Sequence, residues 1–271
     1  MNVGRTIPHA VLTIFLLDSG TSLSQIAYLQ IAYMITVFLF EIPSGYLSDH
    51  WSRKNIYVVS ITFMLFAYVM IYIGHGHLYY LIVAWILYGF GVALSSGSME
   101  SEVINQIKQL DKDIRQFVIW NSYVSSSSAA IGALIGSFLY IHISRHMYAF
   151  SLICFIISLL IATLFQVKSS RMINKDRVNL TGLKNVVINL CKIRDTQEVI
   201  ILFMLVGLFL QPFFQYWQVL FEQKGMSIHF FGVLYIMFQL CNIAGTYIYD
   251  RLKYKEKYTM YFLLCPWVQR Y

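Results

Sequence analysis

Charge is scarce in this chain. Aspartate, glutamate, lysine and arginine make up 12% of its 271 residues, about half of the ~25% found in an average soluble domain. That is too little to clothe a water-facing surface, and it excludes the one or two soluble domains that the length alone would allow. Cysteine is scarce as well. Cys154, Cys191, Cys241 and Cys265 share no metal-ligand spacing and mostly sit inside apolar stretches, so neither a disulfide framework nor a zinc site is expected. The polar connections contain no nucleophile–base pairing, no phosphate loop and no metal cluster, and His75 and His77 read as a polar loop. No enzyme activity, cofactor or metal is therefore expected. Residues 1–20 carry one arginine but no small-residue cleavage site, so a cleaved signal peptide is not expected. The net charge of +7 would suit nucleic acid, but the basic residues lie in gaps between apolar runs and build no single face.

What the chain has in abundance is apolar length. Hydrophobic residues make up 58% of it, gathered into runs at 25–47, 55–74, 78–99, 117–141, 147–167, 199–221 and 229–249. Each is about 20 residues or longer, enough for a helix to cross a ~30 Å hydrocarbon core. None alternates with the two-residue period of a membrane barrel strand. The expected fold is all-α: a polytopic membrane helix bundle of about seven full spans and two partial ones, with the lipid bilayer as its surroundings. The partial runs are Ile7–Leu17, interrupted by Pro8 and His9, and Tyr258–Val268. Each covers about 16 Å as a helix, and both are expected to be half-helices.

Lysine and arginine fix the orientation. With the nine runs numbered in order, connections after the even-numbered ones hold sixteen basic residues, and those after the odd-numbered ones hold Arg145 and Lys224. The first set, 49–54, 106–115, 168–198 and 250–257, is expected to face the cytoplasm. The longest, 168–198, divides the chain into a first part at 1–167 and a second at 199–271. Within it Leu183, Val186, Val187, Leu190 and Ile193 recur at helical spacing, which suits a helix lying in the membrane interface. A weak repeat relates Gly20–Leu29 to Gly225–Leu234, and parallel halves of six spans are an established transporter plan.

The stretch Glu41-Ile-Pro-Ser-Gly-Tyr-Leu-Ser-Asp-His-Trp-Ser-Arg-Lys54 resembles the signature loop between helices two and three of the major facilitator superfamily. Gly45, Asp49, Arg53 and Lys54 match it in identity and spacing. His50 stands where a basic residue is usual, and Ser52 where the second glycine is. The resemblance implies two six-helix halves around a central cavity, with this loop acting as a cytoplasmic gate. Glu100 and Glu102, at the cytoplasmic end of run four, are its candidate partners.

Further candidates follow from position. Glu41 lies about 12 Å deeper than Asp49 along a helix, and an ionisable residue at that depth is a candidate proton site. Gln211, Gln215 and Gln218 share one helix face at i, i+4 and i+7. They are candidate substrate contacts, because the resemblance places the first helix of each half against the cavity. Ser128, Gly132 and Gly136, and likewise Gly89, Ala93 and Gly97, have the spacing of close helix packing. The expected function is secondary transport at the plasma membrane, with efflux of a small amphipathic or drug-like solute; Glu41 is open to two readings, proton exchange with the cytoplasm or a hydrogen bond to a neighbouring helix. The glycine-rich stretch Ala129–Gly136 lacks the proline of the superfamily's drug–proton antiporters, so an importer, or a fragment that does not transport, remains the alternative. Residues 1–271 alone, lacking the last three helices of the twelve-helix plan, are expected to give no flux.

Overall fold

The computed structural model describes residues 1–96, 98–111, 113–164 and 194–251; within its helices the side chains of Asp49 and His50 lie outside the described residues. So do most of loop 168–198 with its interface helix, the partial run Tyr258–Val268, and Gly97, Lys112, Cys191 and Cys265. The described residues form helices without strands: α1 Asn2–Thr6, α2 Leu12–Asp18, α3 Leu23–His50, α4 Arg53–Gly74, α5 Leu78–Ser96, α6 Met99–Gln109, α7 Ile114–Ile143, α8 Met147–Leu164, α9 Arg194–Gln223 and α10 Phe231–Arg251. The fold is an all-α membrane bundle. Its seven long helices correspond to the seven full runs, and α7 and α8 are joined by a single 3-10 turn at Ser144–His146.

Local sequence sets the boundaries. Helix α3 starts on a capping box, in which Ser22 Oγ accepts from the Gln25 N–H at 3.2 Å and Gln25 Oε1 accepts from the Ser22 N–H at 2.8 Å. Two of the orphan N–H groups at the helix start are thereby satisfied. Asp113 caps α7 by accepting from the Arg115 N–H at 2.8 Å. Helix α4 stops where His75 and Gly76 take positive φ, and a Cβ on Gly76 would lie 2.3 Å from the Ser19 carbonyl.

The lipid-facing surface explains the composition. On α8, Ile153, Ile156, Ile157, Leu160, Ile161 and Leu164 are exposed, while Tyr148, Ser151 and Phe155 on the other side are fully buried. An apolar stripe of that extent faces hydrocarbon, not water. The interior is aromatic, with Tyr68 ring centroids 4.8 Å from Phe155 and 5.7 Å from Tyr148, and Trp217 5.5 Å from Phe231.

Two features differ from the expectation. The polar stretch after run four is a separate helix, α6, with Glu100 and Glu102 in its first turn and Lys108 in its last. This order of charges complements the helix dipole. The first run also starts earlier than its apolar stretch. Helical residues begin at Asn2, and α1 and α2 together form a helix interrupted at residues 7–11 around Pro8. Helix α1 packs on α7 and α8, and α2 on α3 and α9. The spaced glycines of α7 create that seat. A Cβ on Gly132 would meet Thr6 Oγ1 at 2.1 Å, and one on Gly136 would meet the Ile7 carbonyl oxygen at 1.6 Å. Likewise Gly89 lets α5 approach α3 at Thr36 and the Tyr33 carbonyl.

Candidate functional site

Breaking a helix inside a membrane frees backbone groups that water cannot reach, and each must find a partner in the protein. Proline supplies the break by lacking an N–H and fixing φ. In an intact helix the Thr13 N–H would donate to the His9 carbonyl, four residues back. Here the side chain of Gln218 on α9 stands between them. Its Oε1 accepts from the Thr13 N–H at 2.8 Å and its Nε2 donates to the His9 carbonyl at 2.8 Å. Thr13 Oγ1 donates to the Gln215 carbonyl at 3.0 Å, so three bonds join α9 to α2 and to the break before it.

A cavity of about 110 Å³ adjoins this junction. Pro8 and His9 line it on one side, Gln211 and Gln215 on another, and Tyr33, Tyr68, Trp85, Tyr88 and Tyr148 complete it. All three glutamines expected on one face line this cavity, but their amides are used differently. Gln218 is buried, at 3% exposure, with both amide atoms committed to the backbone of helix one. Gln211 and Gln215 remain half-buried along the cavity.

A second cavity of about 500 Å³ lies toward the end that the basic connections mark as cytoplasmic. Tyr33 lines both cavities. Arg5, Val37, Glu41, Val92, Glu100 and Phe117 are among the residues that line the larger one. Ser96 Oγ donates to Glu41 Oε1 at 3.4 Å, and Asn121 Nδ2 donates to Glu100 Oε1 at 3.0 Å. Arg5 stands at the inner end of this space, with Tyr33, Tyr68, Tyr88 and Tyr235 as electrostatic neighbours. The Tyr68 hydroxyl donates to the Arg5 carbonyl at 2.9 Å. Sequence reading missed Arg5 because it precedes what looked like an incomplete run, where a lone basic residue reads as a flank.

The signature loop places its cations on separate partners. Arg53 Nη1 donates to Glu102 Oε2 at 3.1 Å, with Glu102 nearly buried at 6% side-chain exposure. Asn105, its amide oxygen turned toward Arg53, accepts from Nη1 at 2.7 Å and Nη2 at 3.0 Å. Gln106 Nε2 adds a bond to Glu102 Oε1 at 3.1 Å. Lys54 Nζ donates to the Thr163 carbonyl at 2.7 Å, at the C-terminus of α8, where helix carbonyls lack intrahelical partners. Gly45 lies in α3 with open space where a Cβ would point. At the opposite end, the Tyr140 hydroxyl bonds Asp18, Arg145 reaches His75, and the Arg145 guanidinium lies 5.0 Å from the Tyr72 ring centre.

No curated protein matches the chain significantly. The family model described as Major Facilitator Superfamily matches residues 2–266, nearly the whole sequence, and agrees with the signature stretch and the helical bundle. The chain belongs to the Major Facilitator Superfamily, as a multi-pass membrane transporter of that type.

Proposed function

We propose that the protein exports small amphipathic or drug-like solutes across the plasma membrane by alternating access, its halves at 1–167 and 199–271 joined by the cytoplasmic loop 168–198. The observation that carries this reading is the asymmetry of the two cavities. The space of about 500 Å³ on the cytoplasmic side has a mixed apolar and ionisable lining. A smaller space of about 110 Å³, sharing Tyr33 with the larger one, lies beside the junction where Gln218 ties α9 to helix one. This arrangement suits loading from the cytoplasm. Glu41, in the wall of the larger cavity, is the proposed proton site. Gln211 and Gln215 are the proposed solute contacts. Gly45, Asp49, Arg53 and Lys54, with Glu100 and Glu102, are the proposed cytoplasmic gate.

The test is efflux of a dye panel from a host without its own exporters, with the protein expressed from its complete gene. Expression should lower dye retention, and a protonophore should restore it. Asp49→Asn and Glu41→Gln should abolish the difference at unchanged membrane abundance. Raised accumulation would mean import, and unchanged accumulation with an abundant protein would refute transport of these solutes. Single cysteines placed in 168–198 should resist an impermeant thiol reagent applied outside intact cells. Labelling there would overturn the orientation.

A further inference from the structure

We propose that the transported solute carries an anionic group and that Arg5 receives it; this rests on the transport reading above and names the class of solute. Arginine keeps its charge under all physiological conditions, and its planar fork matches a carboxylate with two parallel bonds. A charged side chain at membrane depth is costly and is characteristically turned toward a cavity or pathway. Arg5 fits that description, because it lines the cavity of about 500 Å³ and the bundle surrounds it with four tyrosines. Its backbone is fixed as well, by the Tyr68 hydroxyl on its carbonyl and by the glycine seat of α7 under Val3, Thr6 and Ile7.

Charge varies along the cavity. Tyr33, beside Arg5, and Glu41 both lie on α3, eight residues or about 12 Å apart. The carboxylates of Glu41 and Glu100 are each engaged by a hydrogen-bond donor, Ser96 and Asn121. The lining therefore changes from acidic nearer the cytoplasm to basic at its inner end. A solute entering from the cytoplasm is oriented with its anion inward.

A second observation marks the place beyond Arg5. Tyr148 is fully buried, its ring centroid 5.7 Å from that of Tyr68, and it lines the smaller cavity. Its hydroxyl has no hydrogen-bond partner among the described residues. A buried donor in that state calls for an acceptor, which a polar group on the solute would supply. The solute class is thus a small organic monoacid, its anion at Arg5 and its body in the larger cavity of about 500 Å³.

The experiment uses the purified full chain in lipid nanodiscs and follows tryptophan fluorescence, since Trp85 lines the smaller cavity. Benzoate and phenylacetate are titrated against benzamide, phenylacetamide and benzylamine. The acids should bind at least about tenfold more tightly than the amides, as expected for a charge-assisted bond. Arg5→Gln should lower acid affinity to that of the amides. Arg5→Lys should keep the preference for acids with a several-fold loss of affinity, and it carries the test if the glutamine variant fails to fold. Equal binding of acids and amides, tighter binding of benzylamine, binding of none, or an acid affinity unchanged in either variant overturns the proposal. A protein that exports dyes but binds no acid keeps the transport reading and loses this one. A protein that binds acids through Arg5 but moves nothing does the reverse.

Discussion

The contacts of the signature loop and those that join α9 to helix one rest on different chemistry. At one end the contacts of the signature loop are made by cations and stay within the first six spans: Arg53 with Glu102 and Asn105, and Lys54 with the end of α8. At the opposite end the contacts that cross to α9 are neutral and made to backbone, from Gln218 and Gln215 to His9 and Thr13. Beside the larger cavity a neutral hydroxyl pair, Ser122 and Thr246 at 3.0 Å, links α7 and α10. Charges at a membrane face are wet and screened, so they contribute modestly. Neutral bonds in hydrocarbon have no water to replace them, so each weighs more. The difference teaches that the strength of a contact here depends on depth more than on formal charge.

The largest effect is expected at the seat of helix one. Gly136→Val would drive a side chain into the Ile7 carbonyl, where even a Cβ would sit at 1.6 Å. Overpacking against backbone costs about 3 kcal/mol or more, and thermal unfolding in detergent should show it as loss of most folded protein. A valine at the open Gly45 should have far less effect.

Next comes the amide that completes the helix. Gln218→Leu leaves a buried donor and a buried acceptor unsatisfied, at about 1–3 kcal/mol each. The sharper experiment adds Pro8→Ala, which relieves the restraint on residues 7–11 and so favours the direct Thr13–His9 bond. The double variant should melt above Gln218→Leu alone. A double variant no better than the single would show that the two ends do not differ as described.

Two smaller effects lie around the signature loop. Glu102→Gln removes the charge partner of the partly exposed Arg53, for about 1–2 kcal/mol once solvent screening is allowed for. The fall in unfolding temperature should shrink as salt is raised. Lys54→Gln withdraws a cation from the C-terminus of α8, worth about 0.3–1 kcal/mol. A loss at Lys54 exceeding that at Gln218 would reverse the ranking of the two ends.

Much of the architecture was legible in the sequence, because the bilayer imposes a length that composition reveals directly. Helices α3, α4, α5, α7, α8, α9 and α10 each coincide with a run of about twenty apolar residues, and the four-residue spacing of Gly132 and Gly136 announced the close approach of another helix. The partners were not legible. Which of three cavity glutamines commits its amide to backbone depends on a helix more than 200 positions away, and an amide serves either purpose equally well. The break in helix one hid its own extent, since Pro8 and His9 divide the apolar signal and leave Arg5 outside it. Helix α6 escaped notice because a short amphipathic helix at a membrane face has the composition of a polar loop.

The amide of Gln218 makes the state of helix one and the position of α9 a single variable. While α9 is docked, the helix has a gap and the gap is filled. If α9 moves away, the Thr13 N–H and the His9 carbonyl must either close on each other, lengthening the regular helix, or stand bare in a medium with no solvent to receive them. A continuous first helix and a departed α9 are therefore favoured together, as are a broken helix and a docked α9, while the mixed combinations are penalised. Two coupled alternatives with disfavoured intermediates constitute a switch, and here one borrowed side chain sets its threshold. The Thr13 amide should report that switch by its hydrogen exchange, slow in either closed arrangement and fast only during the crossing between them.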